Sequence, residues 1–146
     1  ELVATMNELG ATTVLVSGGF TYFVDRVAAD LGFSVCHANQ LEMADGALTG
    51  EVVEPILGAK SKRHILESVV QERGIAPTAT MAVGDGANDI AMLDGAGLSV
   101  AYHAKPILAE RADVVINHTD LRTLLYLQGV RDNEIVEPKT DRSTDI

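Results

Sequence analysis

The stretch Thr80-Met81-Ala82-Val83-Gly84-Asp85-Gly86-Ala87-Asn88-Asp89 is the most informative part of this sequence. A short apolar run closed by glycine predicts a buried strand, and Ile90, Ala91, Met92 and Leu93 behind it supply the apolar face of a helix. A polar loop between strand and helix lies at the carboxyl end of the strand, where open α/β sheets keep their ligands. Gly84 and Gly86 let the backbone turn tightly, while Asp85 and Asp89, four apart, bring two carboxylates to one small region. That chemistry suits a hard, oxygen-preferring cation such as Mg²⁺. A plainer reading stands beside it: Asp85 begins an ordinary turn, and Asp89 is a helix-starting acid that favours the positive end of the dipole.

Outward from this loop the same alternation repeats. Leu2, Val3, Met6 and Leu9 recur at helical spacing before Gly10, and Thr12-Thr13-Val14-Leu15-Val16 reads as a β-branched strand. Phe20, Phe23, Val24, Val27 and Leu31 predict one face of a helix that ends at Gly32. Between Ser34 and Val53 the pattern turns to strands, and Asp45-Gly46 suits a hairpin turn. Ile65, Leu66, Val69 and Val70 mark a helix from Lys62 to Arg73, closed by Gly74. Beyond the opening stretch, Leu98–Ala101 and Asp113–Ile116 read as short strands, and Pro106–Arg111 and Leu121–Leu127 as helices. Four strands separated by helices predict an α/β fold with a Rossmann-like, three-layer parallel sheet and a β-hairpin excursion. Residues 1–130 form the expected domain, and the charged stretch 131–146 reads as a mobile tail.

Composition narrows the partners. The 146 residues are 47% hydrophobic and 22% charged with a net charge of -10, which argues against phosphate-driven binding to nucleic acid or to an acidic membrane. An anion must therefore be caught locally. Cys36 is the single cysteine and reads as a small strand residue; it excludes an internal disulfide and a cysteine-rich zinc site. With no apolar stretch of membrane-spanning length and no basic-then-apolar start, the expectation is a soluble cytoplasmic domain.

Ser17-Gly18-Gly19 stands at a second strand-to-helix turn, where a hydroxyl and backbone N–H groups would cradle phosphate. The competing use is a simple helix N-cap. Asn88 carries an amide that either caps its own helix or bonds a ligand. Lys62 begins a helix, where an exposed cation costs about 0.3–1 kcal/mol unless an anion meets it. A solvated surface lysine is the ordinary alternative, and Lys60 nearby leaves the choice between the two open.

These residues together resemble the haloacid-dehalogenase-like phosphohydrolases, and within them the members that hydrolyse O-phosphoserine. Val16-Ser17-Gly18-Gly19-Phe20-Thr21 looks like the second motif, Lys62 like the third, and Gly84-Asp85-Gly86-Ala87-Asn88-Asp89 like the fourth. The interval from Lys62 to Asp85 fits the family pattern and favours Lys62 over Lys60. Ala38-Asn39-Gln40-Leu41-Glu42, Asp45-Gly46, Thr49-Gly50 and Ala101-Tyr102-His103-Ala104-Lys105-Pro106 also look like segments of these enzymes. The resemblance runs from about Leu2 to Gly129.

It implies that Ser17 and the Gly18 amide hold phosphoryl oxygens, that Lys62 neutralises charge on the phosphate, and that Asp85 ligates Mg²⁺. Asn88 would touch the substrate or its phosphate, and Asp89 would orient Lys62 or a metal-bound water. These are positioning and electrostatic tasks, the bulk of catalysis in phosphoryl transfer. His103 follows a strand away from the other motifs and is assigned a structural role, with Lys105 beside it as a weaker candidate.

The family's first motif, D-x-D-G-T, supplies the nucleophile and the general acid, and no pair of aspartates in these residues has that spacing. The resemblance therefore implies the carboxy-terminal portion of a phosphatase, without the first motif, its central strand and the cap, and inactive alone. Its expected partners are a small phosphomonoester, the amino-terminal part of the same protein and, left open, a second copy. Two alternatives remain: a non-catalytic phosphate- or metal-binding module, and a phosphatase of another small metabolite.

Overall fold

The computed structural model describes residues 1–138. The chain opens with helix α1 (Leu2–Glu8), turns at Gly10 with φ +81°, and enters strand β1 (Val14–Phe20). Helix α2 (Thr21–Leu31) ends at Gly32, whose φ of +78° is the left-handed conformation glycine adopts without penalty. Strand β2 (Val35–Asn39) pairs in parallel with β1. Strands β3 (Leu41–Ala44) and β4 (Ala47–Val52) form the antiparallel hairpin; Asp45 and Gly46 both take positive φ, +51° and +79°, as a tight two-residue turn demands.

Helix α3 (Ala59–Arg73) follows, and then β5 (Met81–Gly84), a 3₁₀ turn over Ala87–Asp89 and α4 (Ile90–Leu93). Strand β6 (Leu98–Tyr102), α5 (Pro106–Ala109), β7 (Val114–Ile116) and α6 (Thr123–Leu127) complete the alternation. β5, β6 and β7 form one parallel sheet in that order. Its two faces hold the core: Ala82, Leu93, Ala101 and Leu108 on one side, Val100, Ile116 and Leu124 on the other. Apolar side chains on both faces are what a parallel sheet between helical layers requires.

The structure departs from the expected single sheet in three respects. The parallel strands divide into two sheets, β1-β2 and β5-β6-β7, with no ladder between β1 and β5 among the described residues. β2, hidden in the stretch read as a hairpin, is a fifth parallel strand; its short apolar run abuts the hairpin and masks the boundary. β1 runs on to Phe20, so Ser17-Gly18-Gly19 lies within an irregular strand rather than in a turn, and Phe20 is the N-cap of α2. The predicted face of α2 is also only half used: Ala28 is buried, whereas Phe23 and Leu31 are 63% and 53% exposed.

The expected tail starts with structure. A 3₁₀ turn spans Asp132–Glu134, Tyr126 donates its hydroxyl hydrogen to Asp132 at 2.6 Å, and the Val136 N–H donates to the buried Thr5 hydroxyl at 2.9 Å. The rest of it, 139–146, lies outside the described residues.

Candidate functional site

Lys62 sits in the first turn of α3 yet is only 8% exposed. Its Nζ lies 2.6 Å from Asp89 Oδ1, and Asp89 is 3% exposed. A cation near the positive end of a helix, out of water, is tolerable only with such a partner. The other Asp89 oxygen, Oδ2, accepts the N–H groups of Asp85 at 3.1 Å and Gly86 at 3.3 Å. One carboxylate thus shapes the loop after β5 and holds the lysine at the same time. Charge-assisted bonds of this kind are the stronger ones.

Glycine at 84 is a packing requirement. A Cβ there would lie 2.5 Å from Asp89 Cβ, so any side chain would displace the buried carboxylate. At Gly86 a Cβ would stand 2.9 Å from Asn88 Oδ1. Asp85 and Asn88 are exposed beside this packed centre, and among the described residues the Asp85 carboxylate has no hydrogen bond or ion pair. Lys60 is exposed as well, which leaves Lys62 as the lysine directed into the loop.

The fit to a divalent cation follows from the donors. Asp89 is fully engaged, Asp85 is free, and no three His, Cys, Asp or Glu side chains converge among the described residues. Mg²⁺ keeps several waters and is held by one or two carboxylates plus substrate phosphate, so a single outward Asp85 is compatible with it.

Ser17 Oγ accepts the Gly19 N–H at 3.0 Å, folding the strand back on its own side chain. No direct hydrogen bond joins Ser17, Gly18 or Asn88 to Lys62 or Asp85 among the described residues. The connection runs through Asn39, which lies in a segment the resemblance covers but was given no role: its amide bonds Gly18 O and the Leu57 N–H, and Leu57 leads into α3. The available signal was an asparagine closing the strand-like run Val35-Cys36-His37-Ala38.

The segment after β6 is closer than its place in the chain indicated. The Lys105 N–H donates to Asp85 O at 2.9 Å, so this turn braces the loop that carries Asp85. His103 adopts φ +44° and its Nε2 lies 3.2 Å from Thr119 O. Its contacts are with the neighbouring strand and loop.

No helix of the described residues is long and apolar enough to cross a membrane. The sequence pattern of the haloacid dehalogenase-like hydrolases matches residues 1–94. A phosphoserine phosphatase of Haemophilus influenzae is 42% identical over 132 residues, which are 90% of this chain and 42% of that protein. The crystal structure of a probable phosphoserine phosphatase from Vibrio cholerae superposes with a TM-score of 0.85 at 39% identity, over 88% of this chain and 40% of that one. A phospho-aspartyl intermediate analogue of phosphoserine phosphatase gives 0.79 at 41% identity, over 89% and 61%. The chain spans about two-fifths to three-fifths of the lengths of these relatives. With the matching sequence pattern and the parallel α/β architecture together, the chain belongs to the haloacid dehalogenase-like hydrolase family.

Proposed function

We propose that this chain is the carboxy-terminal part of the catalytic core of a Mg²⁺-dependent phosphatase that hydrolyses O-phosphoserine to serine and phosphate, in the cytoplasm, as a step of serine biosynthesis. The observation that carries the reading is the buried Lys62–Asp89 pair whose carboxylate also holds the Asp85 and Gly86 amides. That arrangement fixes a positive charge beside a loop with one unengaged carboxylate, the combination a phosphoryl group and a divalent ion need. Likeness to phosphoserine phosphatases over about 90% of the chain supports the choice of substrate.

In this reading the Ser17 hydroxyl and the Gly18 N–H bind phosphoryl oxygens, and Lys62 Nζ offsets their charge. Asp89 keeps Lys62 aimed and Asn88 orients the substrate or its phosphate. Asp85 would hold Mg²⁺, which when bound supplies further positive charge against the phosphoryl oxygens. The attacking carboxylate comes from a D-x-D segment outside these 146 residues, on a strand that would join the two parallel sheets, β1-β2 and β5-β6-β7, which share no ladder among the described residues. Attack at phosphorus breaks the P–O bond to serine and forms an aspartyl-phosphate, the second aspartate of that segment giving its proton to the leaving serine oxygen; water, losing a proton to the same aspartate, then releases phosphate.

The test is phosphate release from O-phosphoserine, with and without Mg²⁺, by the full-length native protein and by the 146-residue chain. Metal-dependent turnover by the full-length protein alone is the expected result. Turnover by the 146 residues alone would refute the external nucleophile. The lack of a D-x-D pair favours one second reading, a phosphate-binding module without hydrolysis. Phosphate binding with no turnover of any small phosphomonoester by the full-length protein would select it.

A further inference from the structure

Asn39 ends β2 and is 7% exposed. Its Nδ2 donates to Gly18 O at 2.9 Å, and its Oδ1 accepts the Leu57 N–H at 2.6 Å. The two partners fix the amide orientation, since the reverse would set donor against donor and acceptor against acceptor.

Both ends of this bridge matter. Val16 pairs with His37, but the next partners are Phe20 and Asn39, so Ser17, Gly18 and Gly19 stand against Ala38 alone. Such a bulge takes backbone groups out of the ladder and re-aims side chains. The Asn39 amide supplies a partner for Gly18 in place of the lost ladder and so holds the bulge in one shape. At its other end Leu57 precedes Gly58, the N-cap of α3, and Lys62 lies in the first turn of that helix.

We propose that Asn39 is a positioning residue for phosphoryl transfer, clamping the Ser17–Gly19 bulge against the entry to α3 so that the bulge and Lys62 meet one phosphoryl group. The inference rests on the function proposed above. Asn39 touches no substrate in this arrangement; it sets the distance between two groups that do. A misplacement of about 1 Å in a positioned group costs up to a hundredfold in rate.

The experiment is Asn39→Asp in the full-length native protein, assayed on O-phosphoserine with Mg²⁺. Aspartate still accepts the Leu57 N–H but opposes a carboxylate oxygen to the Gly18 carbonyl, so the bulge loses its tie. The expected result is a fall in kcat of about tenfold or more and weaker inhibition by inorganic phosphate, with the fold retained by circular dichroism. In a Ser17→Ala background the same change should cost less than it does alone, because part of what Asn39 positions has gone. Asn39→Ser, too short to span both partners, carries the same expectations should the aspartate variant not fold. A kcat within twofold of wild type for the folded variant, or fully additive losses with Ser17→Ala, would overturn the proposal. A wild-type protein that releases no phosphate would instead sink the functional reading, and this inference with it.

Discussion

Lys62 and Asp85 carry opposite signs and opposite burial, and that contrast separates what each does for folding from what each does for chemistry. Lys62→Ala leaves Asp89 buried without its counter-charge, which should destabilise the protein by about 3–5 kcal/mol in urea unfolding. In the full-length protein the same change should slow turnover by on the order of a hundredfold or more. Asp85→Asn removes a carboxylate that is exposed and unengaged among the described residues, so stability should stay within about 0.5 kcal/mol of wild type. Mg²⁺ affinity, read by titration of activity against metal, should fall sharply, because a neutral amide replaces an anionic ligand. If Asp85→Asn left the metal dependence unchanged, Asp85 would leave the site. The sequence singled out both residues, since a glycine-punctuated loop and a lysine at a helix start are local patterns. Their division of labour, and the task of Asp89 beside Lys62, came only as what the resemblance implied, because the pairing of Lys62 with Asp89 joins positions 27 apart.

At the scale of elements, the loop between β5 and α4 depends on the bare backbone of Gly84. Gly84→Ala places a methyl against the Asp89 side chain, and the cost should be about 1–3 kcal/mol, with loss of activity beyond it, by chemical unfolding and phosphate release. β6 and β7 are tied at their starts by Asp113, whose carboxylate accepts the Ser99 hydroxyl at 2.6 Å and the Ser99 N–H at 2.8 Å. These bonds hold the Asp113 carboxyl below its ordinary value of 3.8, the Ser99 hydroxyl contributing most. A lowered folded-state value means the stabilisation is present above about pH 3.8 and is lost as pH falls further. Asp113→Ala should therefore narrow the gap to wild type as acid unfolding proceeds below that pH, whereas an unchanged gap would deny the link. Strands β5, β6 and β7 were readable because each is a short apolar run between turn residues. β2 was not, because nothing in Val35-Cys36-His37-Ala38 says whether its partner is the next strand or the previous one. The bulge in β1 was missed for a similar reason: glycines after an apolar run fit a turn as well as a strand that has slipped register.

For the molecule as a whole, the core is lopsided. The buried clusters surround β5-β6-β7, while α2 and the β3–β4 hairpin leave Tyr22, Phe23, Met43 and Leu48 each about three-fifths exposed around an apolar groove of about 740 Å³. An apolar surface of that kind binds hydrophobic dyes. The isolated 146 residues should enhance 1-anilinonaphthalene-8-sulfonate fluorescence while keeping their far-ultraviolet circular dichroism, and Phe23→Ser with Met43→Ser should reduce the enhancement. No enhancement would mean that the groove is closed in solution.

Short-range pattern was enough for the alternation of strands and helices, the Asp45-Gly46 hairpin and the glycine-punctuated loop after β5, because all of these follow from periodicity and from the backbone demands of glycine over a few residues. The fold, and no local pattern, sets that the parallel strands form two sheets and that Asn39 spans Gly18 and Leu57, and it brings Lys62 to 2.6 Å from Asp89, a pairing that the resemblance implied and periodicity did not. Those outcomes depend on which surfaces lose their water together and which buried polar groups find partners, and neither is encoded at short range.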